Sequence, residues 1–538
     1  MTPAAQTSDP RSRQAPVATE KSLPSWLLAD DPRHSARPID SVSVAALAYL
    51  ALPNLIFLAG WLRWPFAAFF SLLLLWSART AIDWRQVRWR CPYRAAPALL
   101  IVATAFAWCA LGGAGHFLAA PIDWMVRDTV LGDLVFGGWP VAYAAKEGTY
   151  YILRSAIGYF LPAAVVAKAL GVASADLALY LWTVLGTAIF LFSLPLPRRP
   201  GAGLALALLL VVSFSGMDLL GVLASQGEWP ELPVRLEWWT RFSYSRFSYS
   251  SLAAHLYWAP NHALPIWLAS ALFYRHWQHP AFPGFALLLL ALLPIWTPFG
   301  LPALLPFIAL AVLQFLAEPR RRPLPVVPLL VMILMVTLMA RFLGMDVDGI
   351  GTAPPLAGAT GTASETATRD HLLAYLAFVA LEFGALALAL WSRLRHSRGI
   401  LLFATLTLLL LPLLSFGPSN DLLLRASLAS LVMLLLLTLS VLRSAGRPTL
   451  DLGYPWLIVL ILLIGAFTPF HEAARATMVP RWPPSYLQNL VEQQGGSFPP
   501  HYVARLDRPD MRLLLREPSL TPDRERRRTA SSGGQRER

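Results

Sequence analysis

The chain has 538 residues, of which 56% are hydrophobic and only 14% are charged, and its mean hydropathy is +0.52. Soluble domains contain about 25% charged residues, and soluble cores could not bury this many Leu, Ala, Val and Phe side chains. The composition therefore predicts a polytopic membrane protein. It excludes a soluble enzyme, a nucleic-acid-binding domain and a secreted disulfide scaffold.

The formal net charge is +13, and most of the arginines lie in short loops between apolar runs. Only Lys21, Lys146 and Lys168 are lysines among the 44 basic residues. Basic loops of this kind mark the cytoplasmic side of a membrane protein. We therefore interpret the charge as a topology signal, with no nucleic-acid partner. The two cysteines, Cys91 and Cys109, form neither a disulfide framework nor a CxxC motif.

The polar segment 1–41 lacks the apolar core of a signal peptide and is predicted to be a disordered cytoplasmic tail. About 20 apolar residues cross a bilayer, and this length predicts an all-α domain over 42–471 with about 13 transmembrane helices. Prolines within 283–317 predict a broken-helix hairpin there. The predicted spans are 42–60, 64–78, 97–119, 175–195, 202–222, 262–275, 283–298, 300–317, 324–344, 371–392, 398–416, 420–442 and 453–471.

The basic loops also orient the chain. With a cytoplasmic N-terminus, all of them lie inside if the segment 149–170 does not cross the membrane. Segments 120–174 and 223–261 are then extracytoplasmic loops with interfacial helices. The odd number of spans places the polar, Arg-rich and partly disordered tail 472–538 outside as well. The orienting residues are Arg79, Arg85, Arg88, Arg90, Arg94, Arg198, Arg199, Arg320 to Arg322, Arg393, Arg395, Arg398, Arg443 and Arg447.

Polar residues collect at the predicted outer face, first in the loop after the third span. Asp123 and Arg127 are four residues apart, and Asp128 follows, so a helix would bring them near one face. A carboxylate beside an arginine at the lipid interface suits a general base. The alternative is an interfacial amphipathic helix with Asp–Arg pairs and a Trp anchor.

A second cluster occupies the loop 223–261 and ends in Asn261 and His262 at the mouth of the next span. Its aromatic rings could stack on a sugar while its arginines pair with phosphate, or the rings could form an interfacial belt. Asp218 is expected to join this surface. The residues concerned are Glu228, Trp229, Glu231, Arg235, Glu237, Trp238, Trp239, Arg241, Tyr244, Arg246, Tyr249, His255 and Trp258.

A third cluster pairs Asp421 with Arg425 at the outer start of a span. Ionisable residues inside a membrane usually pair and face a polar cavity, and the alternative is a structural ion pair between helices. Glu382 lies alone in its span. The histidines show no metal-binding spacing, and the sequence contains no P-loop, Rossmann fingerprint or nucleophile elbow.

The segments Asp123-Trp124, Arg127-Asp128, Gly132-Asp133 and Trp139-Pro140 resemble a group of uncharacterised bacterial membrane proteins. The same holds for Arg154 to Tyr159, Leu161 to Lys168, Phe214 to Asp218, and Asn420 to Arg425, so that the resemblance extends over roughly 97–470. In plan, with acidic residues in a large outer loop followed by interfacial helices, the chain is similar to the C-type (GT-C) membrane glycosyltransferases. In that superfamily the acidic loop usually follows the first span, whereas here it follows the third.

That resemblance implies a sugar transfer from a polyprenyl-phosphate donor, with inversion at the anomeric carbon. It makes Asp123 the base, with Asp128 or Asp133 as second carboxylate. Arg127, Arg154, Lys168 or Arg425 would meet the phosphate. It implies no cofactor beyond a divalent cation that could assist.

The leading hypothesis is thus an integral-membrane glycosyltransferase of the bacterial inner membrane that acts on an envelope acceptor at the extracytoplasmic face. The second is a transporter or flippase of a lipid-linked or amphipathic substrate, for which internal repeats and midplane charges would be typical. The third is a non-catalytic partner in envelope assembly that uses its basic tail. Deletion of the tail is expected to spare an enzyme and to inactivate a scaffold.

Overall fold

The computed structural model describes residues 38–145, 149–243, 247–317, 324–346, 365–394, 397–414, 416, 420–444, 455–506 and 509–529. Almost all of the predicted N-terminal tail, 1–37, lies outside the described residues. So do Tyr244, Arg246 and several of the arginines predicted to orient the chain.

The protein is mostly helical, and each of the predicted apolar segments coincides with one or more helices. Those of the N-terminal half are α1 (Ser41–Trp61), α2 (Trp64–Ala81), α3 (Ala95–Ala110), α4 (Trp124–Phe136), α5 (Leu161–Leu170), α6 (Ala175–Ser193), α7 (Ala202–Val212), α8 (Asp218–Gln226), α9 (Leu252–Trp258) and α10 (Pro260–His276). The helices that follow are α11 (Phe282–Leu292), α12 (Gly300–Ala317), α13 (Val326–Leu343), α14 (Glu365–Val379), α15 (Ala385–Trp391), α16 (Arg398–Leu410), α17 (Asp421–Ser444), α18 (Pro455–Gly465), α19 (Phe467–Met478), α20 (Leu490–Gln493) and α21 (Pro509–Leu514).

Six helical segments among the described residues are long and apolar enough to cross a membrane, which supports a membrane protein. They are Ser41–Trp61, Val172–Ser193, Val326–Leu343, Arg369–Trp391, Asp421–Arg443 and Trp456–Met478. The other apolar helices are shorter, among them α11 and α12, which are separated by a proline-containing turn as predicted for the broken hairpin. A π-helical turn, Ala380–Gly384, joins α14 to α15.

The core is built around α17, the most buried of the candidate spans. This helix packs against α10, α12 and α16. Several threonine and serine hydroxyls within the bundle donate to carbonyls one turn earlier, as Thr438 does to Leu434 and Ser193 to Ile189, so that these buried groups are satisfied within their own helices. Near the start of α1, Asp40 caps the helix by accepting from the Ser43 backbone N–H at 3.0 Å.

A small four-stranded sheet, which the all-α prediction omits, joins the loop 120–174 to the C-terminal segment. Its order is β3-β2-β1-β4, with β1 (Val141–Ala144), β2 (Tyr150–Leu153), β3 (Val503–Arg505) and β4 (Ser519–Leu520). β1 and β2 pair antiparallel, β3 adds to β2 antiparallel, and β4 adds to β1 in parallel. Because the strands share one sheet, the C-terminal segment and the loop lie at the same end of the helical bundle.

The segment 149–170 forms β2 and α5 rather than a single apolar helix of spanning length. By contrast, the loop 223–261 departs from the predicted interfacial helices, because α9 is almost entirely buried. The helix α9 packs on α10 and α19 inside the protein. The apolar residues of that loop therefore contribute to the core.

A basic cleft of about 650 Å³ lies at the opposite end of the bundle from the sheet. The helix α6 begins at Ala175, beside Asp176, and ends at Ser193, close to the cleft residue Leu194. The cleft is lined by Asp40, Arg88, Arg90, Arg198, Arg275 and Arg443, among others. Four of the basic residues that predicted a common side, Arg88, Arg90, Arg198 and Arg443, therefore lie together.

Candidate functional site

The first predicted cluster lies at the sheet end of the bundle, where it forms part of a polar centre. Asp123 precedes α4, and its side chain is 46% exposed, whereas the Arg127 side chain one turn later is 8% exposed. Arg127 Nη1 lies 3.5 Å from Asp123 Oδ2, which is a charge contact at i and i+4. The Arg127 guanidinium also lies 5.9 Å from the ring centre of Trp124. An accessible carboxylate therefore stands next to a buried cation.

The third predicted cluster meets the first one. Asp421 and Arg425 lie in the first turn of α17, with Arg425 Nη2 3.8 Å from Asp421 Oδ1. The charges of Asp421, Arg127 and Asp123 all act on Arg425. Side chains from two distant parts of the chain thus form a group of two carboxylates and two guanidinium groups. We call this group the Asp123 centre (Asp123, Arg127, Asp421 and Arg425).

The C-terminal segment supplies Tyr502, which the sequence analysis did not single out. Burial raises the pKa of the Tyr502 phenol, and the neighbouring charges of Arg127 and Arg425 oppose that shift. The backbone N–H of Arg154 donates to Tyr502 O at 2.7 Å, and Arg154 Nη2 donates to Pro500 O at 2.7 Å. Arg154 therefore borders the Asp123 centre and orders the C-terminal segment beside it.

Asn261 and His262 lie in the first turn of α10, close to the same centre. His262 Nδ1 is 2.7 Å from Thr297 Oγ1, and Arg425 and Arg127 both act on the His262 ring. His255, in α9, has Nδ1 3.0 Å from Ser251 O and Nε2 3.1 Å from Leu424 O, and a neutral ring can donate to only one of these carbonyls. Burial together with the charge of Arg425 lowers the pKa of His255 to about 4. The His255 ring is therefore neutral near pH 7.

Several buried arginine nitrogens around the centre have no hydrogen-bond partner among the described residues. They are Arg127 Nη1, Arg154 Nε, Arg235 Nε and Arg425 Nε. A buried donor without a partner is costly and rare in folded proteins. Guanidinium groups are suited to bind phosphate and carboxylate, so this arrangement fits an anionic ligand that is desolvated at the Asp123 centre.

Two aromatic residues of the second cluster, Trp238 and Trp258, are engaged within the protein, whereas Trp229 is 63% exposed. The Arg235 guanidinium lies between the rings of Trp238 and Trp258, at 4.4 and 4.1 Å from their centres. Trp258 Nε1 donates to Glu472 Oε2, and Arg475 donates to the same oxygen. Because the faces of these two rings stack on arginines, little of their surface is available to stack on a sugar.

Asp128 belongs to a separate network. His116 lies between Asp128 and Asp176, with Nε2 3.3 Å from Asp128 Oδ2 and Nδ1 3.0 Å from Asp176 Oδ1. Burial would lower the pKa of His116, but the two carboxylates outweigh it and raise the pKa to about 9. The Ser485 N–H also donates to Asp128. The carboxylate is fully buried and engaged, so the structure argues against its predicted catalytic role.

Asp133 is likewise a structural residue. It forms a fully buried ion pair with Arg527, accepts from Tyr143 Oη at 2.5 Å, and accepts from the Leu490 N–H at 3.0 Å. Arg527 also donates to two carbonyl groups of the C-terminal segment, those of Tyr486 and Gln488. The pair fastens that segment to α4 and leaves no open position on the carboxylate for a substrate.

Lys168 is committed to the end of α4. Its Nζ donates to Gly137 O at 2.5 Å and Val135 O at 3.1 Å, and it lies 5.3 Å from the Trp139 ring centre. Cations stabilise helix C-termini in this way. The structure thus gives Lys168 a capping role rather than the predicted phosphate contact.

Asp218 also lies apart from the Asp123 centre, within the bundle. It accepts from Thr468 Oγ1 at 2.8 Å and Ser215 Oγ at 3.0 Å, and its carboxyl lies close to that of Glu382. Trp239 Nε1 donates to Glu382 Oε1 at 3.0 Å. Glu382, which the sequence leaves alone in its span, therefore has a partner. Two buried carboxyl groups therefore lie close together inside the bundle.

No group of three or more His, Cys, Asp or Glu side chains that could hold a metal ion occurs in the described part of the chain. No family model matches the chain, and neither does any curated protein or any solved structure.

Proposed function

We propose that the protein is an integral-membrane glycosyltransferase that takes its sugar from a polyprenyl-phosphate donor. The observation that supports it is the Asp123 centre, where an accessible carboxylate lies in ion contact with Arg127 and near the buried Arg425, whose Nε has no hydrogen-bond partner among the described residues. An accessible base beside buried guanidinium groups is the minimum that a transfer from a lipid phosphate requires.

In the proposed reaction, Asp123 takes the proton from an acceptor hydroxyl or amine. The acceptor oxygen or nitrogen bonds to the anomeric carbon, and the bond from that carbon to the phosphate oxygen breaks with inversion. Arg127 and Arg425 stabilise the charge that develops on the departing polyprenyl phosphate. Tyr502 closes the centre from the C-terminal segment, and Asp421 orients Arg425.

The proposed setting is the inner membrane of a bacterium, with all thirteen predicted spans crossing and the Asp123 centre at the extracytoplasmic face. The arginine-lined cleft supports this orientation, because positive charge is concentrated on the cytoplasmic side. The helix α17 supports it too. It starts at Asp421 in the centre, runs for 24 residues to Ser444, and carries the cleft residue Arg443 in its last turn. Such a helix is about 36 Å long and exceeds the hydrocarbon thickness.

The decisive experiment measures sugar transfer by purified protein in lipid nanodiscs. The donors and acceptors are extracts of polyprenyl-phosphate sugars and envelope glycans from the native host. For Asp123→Asn we expect a loss of transfer of at least about 100-fold, because removal of a general base costs about 10²–10⁴-fold. Glu231→Gln, which neutralises an exposed carboxylate of the loop 223–261, is the matched control and should retain full activity.

Transfer that survives Asp123→Asn would reject Asp123 as the base. A second, known enzyme checks that the pool of donors and acceptors is usable. If the wild type transfers no sugar from that pool, the glycosyltransferase hypothesis is rejected.

A transporter of a lipid-linked substrate is the second candidate, and the buried Asp218–Glu382 pair favours it. Ionisable residues within the membrane often carry protons in transporters. Glu382→Gln would then abolish movement of a fluorescent polyprenyl-phosphate sugar across a vesicle membrane. A glycosyltransferase should keep its transfer activity in that variant if the bundle folds.

A further inference from the structure

A second basic cleft, of about 850 Å³, opens where the C-terminal segment crosses the turn between α1 and α2. Four arginines and one glutamate carry its charge, and none of them belongs to the Asp123 centre. The charged residues are Arg63, Arg505, Arg512, Arg516 and Glu517. The cleft therefore carries a formal net charge of about +3 at neutral pH.

The protein holds each of the four arginines in place through its Nε atom. In each of them Nε donates to an oxygen of the protein, and the bonds are Arg63 to Leu515 O, Arg505 to Tyr151 Oη, Arg512 to Leu506 O and Arg516 to Leu62 O, at 2.7 to 3.0 Å. The Nη atoms of Arg512 and Arg516 have no hydrogen bond to any described residue. Fixed guanidinium groups with open Nη atoms match the geometry of a phosphate.

The cleft adjoins apolar surface. It begins at Arg63, just beyond the end of the candidate membrane span Ser41–Trp61. The nearby side chains of Trp64 and Leu72 are 76% and 66% exposed, and those of Leu513 and Leu520 are 60% and 51% exposed. Large apolar side chains with this exposure, at the end of a membrane helix, are expected to contact lipid.

We propose that this cleft binds the phosphate of an anionic phospholipid headgroup, with the acyl chains lying along the exposed apolar residues of α2. A set of fixed guanidinium groups next to apolar surface suits a headgroup phosphate, whichever leaflet the lipid occupies. The volume is within the range of about 300–1,000 Å³ that small-molecule sites occupy. Because Arg516 and Arg63 bond to backbone carbonyls on either side of the junction, the bound lipid fastens the C-terminal segment to the membrane. The proposal is independent of the proposed transfer reaction.

The test uses the full-length protein in detergent micelles and measures binding of dioleoylphosphatidylglycerol and of dioleoylphosphatidylcholine by native mass spectrometry. We expect the wild type to prefer phosphatidylglycerol. In the double variant R512Q/R516Q, the ratio of phosphatidylglycerol to phosphatidylcholine binding should fall about fivefold for each charge removed, because one basic residue strengthens anionic-lipid binding by about fivefold. Arg481→Gln, an exposed arginine of the same segment outside the cleft, should leave it unchanged.

Inorganic phosphate distinguishes a lipid from a free anion. If the headgroup and acyl chains act together, phosphate at millimolar concentration should compete poorly. Equal binding of the two lipids, an equal loss in R481Q, or full displacement by inorganic phosphate would each overturn the proposal. The conservative R512K/R516K variant keeps the charge. It serves as the test if R512Q/R516Q fails to fold. A folded R512K/R516K protein that still prefers phosphatidylglycerol supports the proposal, and one that has lost this preference contradicts it.

Discussion

Asp123 immediately precedes α4, which carries Asp128 and Asp133, yet each carboxylate meets a different environment. Asp123 is half exposed beside Arg127, Asp128 is buried against His116, and Asp133 is sealed against Arg527. Their spacing in the sequence made all three plausible as catalytic carboxylates. Burial and partners separate them, because a catalytic base must reach its substrate whereas a sealed ion pair cannot.

The His116 site predicts a pH dependence of stability at the residue scale. The pKa of His116 is raised to about 9 in the folded protein, from an ordinary value near 6.5. The protonated ring therefore stabilises the fold fully below about pH 6.5, and this stabilisation is lost as the pH rises through about 9. Its size is on the order of 3 kcal/mol, since one pKa unit corresponds to about 1.4 kcal/mol.

The measurement is the unfolding midpoint in detergent between about pH 6 and pH 10. The wild type should lose more stability over that interval than His116→Gln. Parallel curves for the two proteins would show that His116 is not protonated in the fold.

At the scale of elements, the C-terminal segment has a structural role that the sequence analysis did not anticipate. A polar, arginine-rich composition predicted a partly disordered tail, but its residues contribute two strands to the sheet and place Tyr502 beside Arg127. Deletion of the C-terminal tail therefore cannot distinguish an enzyme from a scaffold. Removal of this segment would inactivate both, because it also builds the candidate site.

Arg527→Met tests how this segment is held. The change leaves the Asp133 charge buried without its partner, and loss of one member of a buried ion pair costs about 3–5 kcal/mol. We expect the C-terminal segment to become sensitive to limited proteolysis in nanodiscs. The double variant D133N/R527M removes both charges and should regain part of the resistance. Equal sensitivity of wild type and R527M would refute the fastening role of the pair.

At the scale of the whole molecule, the two ends of the bundle carry different chemistry. One end combines the sheet, the Asp123 centre and the C-terminal segment, and the other has the arginine-lined cleft beside the exposed Cys91. Charge of this kind orients a chain in the membrane. An odd number of crossings would put the two ends of the chain on opposite sides.

Cysteine labelling in intact spheroplasts tests that topology. The other cysteine, Cys109, is buried, so a membrane-impermeant maleimide reports on Cys91. We expect no labelling of Cys91 until the cells are broken. In a Cys91→Ser background, Glu525→Cys at an exposed position of the C-terminal segment should be labelled in intact cells. Labelling of both positions from the same side would exclude the proposed thirteen crossings.

The sequence by itself determined the helical membrane character, the positions of the apolar helices and the i, i+4 pairs at Asp123 and Asp421, since these depend on local composition and spacing. Only the tertiary structure decided which polar residues meet. The approach of Arg425 to Asp123, of Arg527 to Asp133 and of Glu382 to Asp218 joins positions far apart in the chain. No local pattern encodes such contacts, because they arise when helices pack and a distant segment adds strands to a sheet.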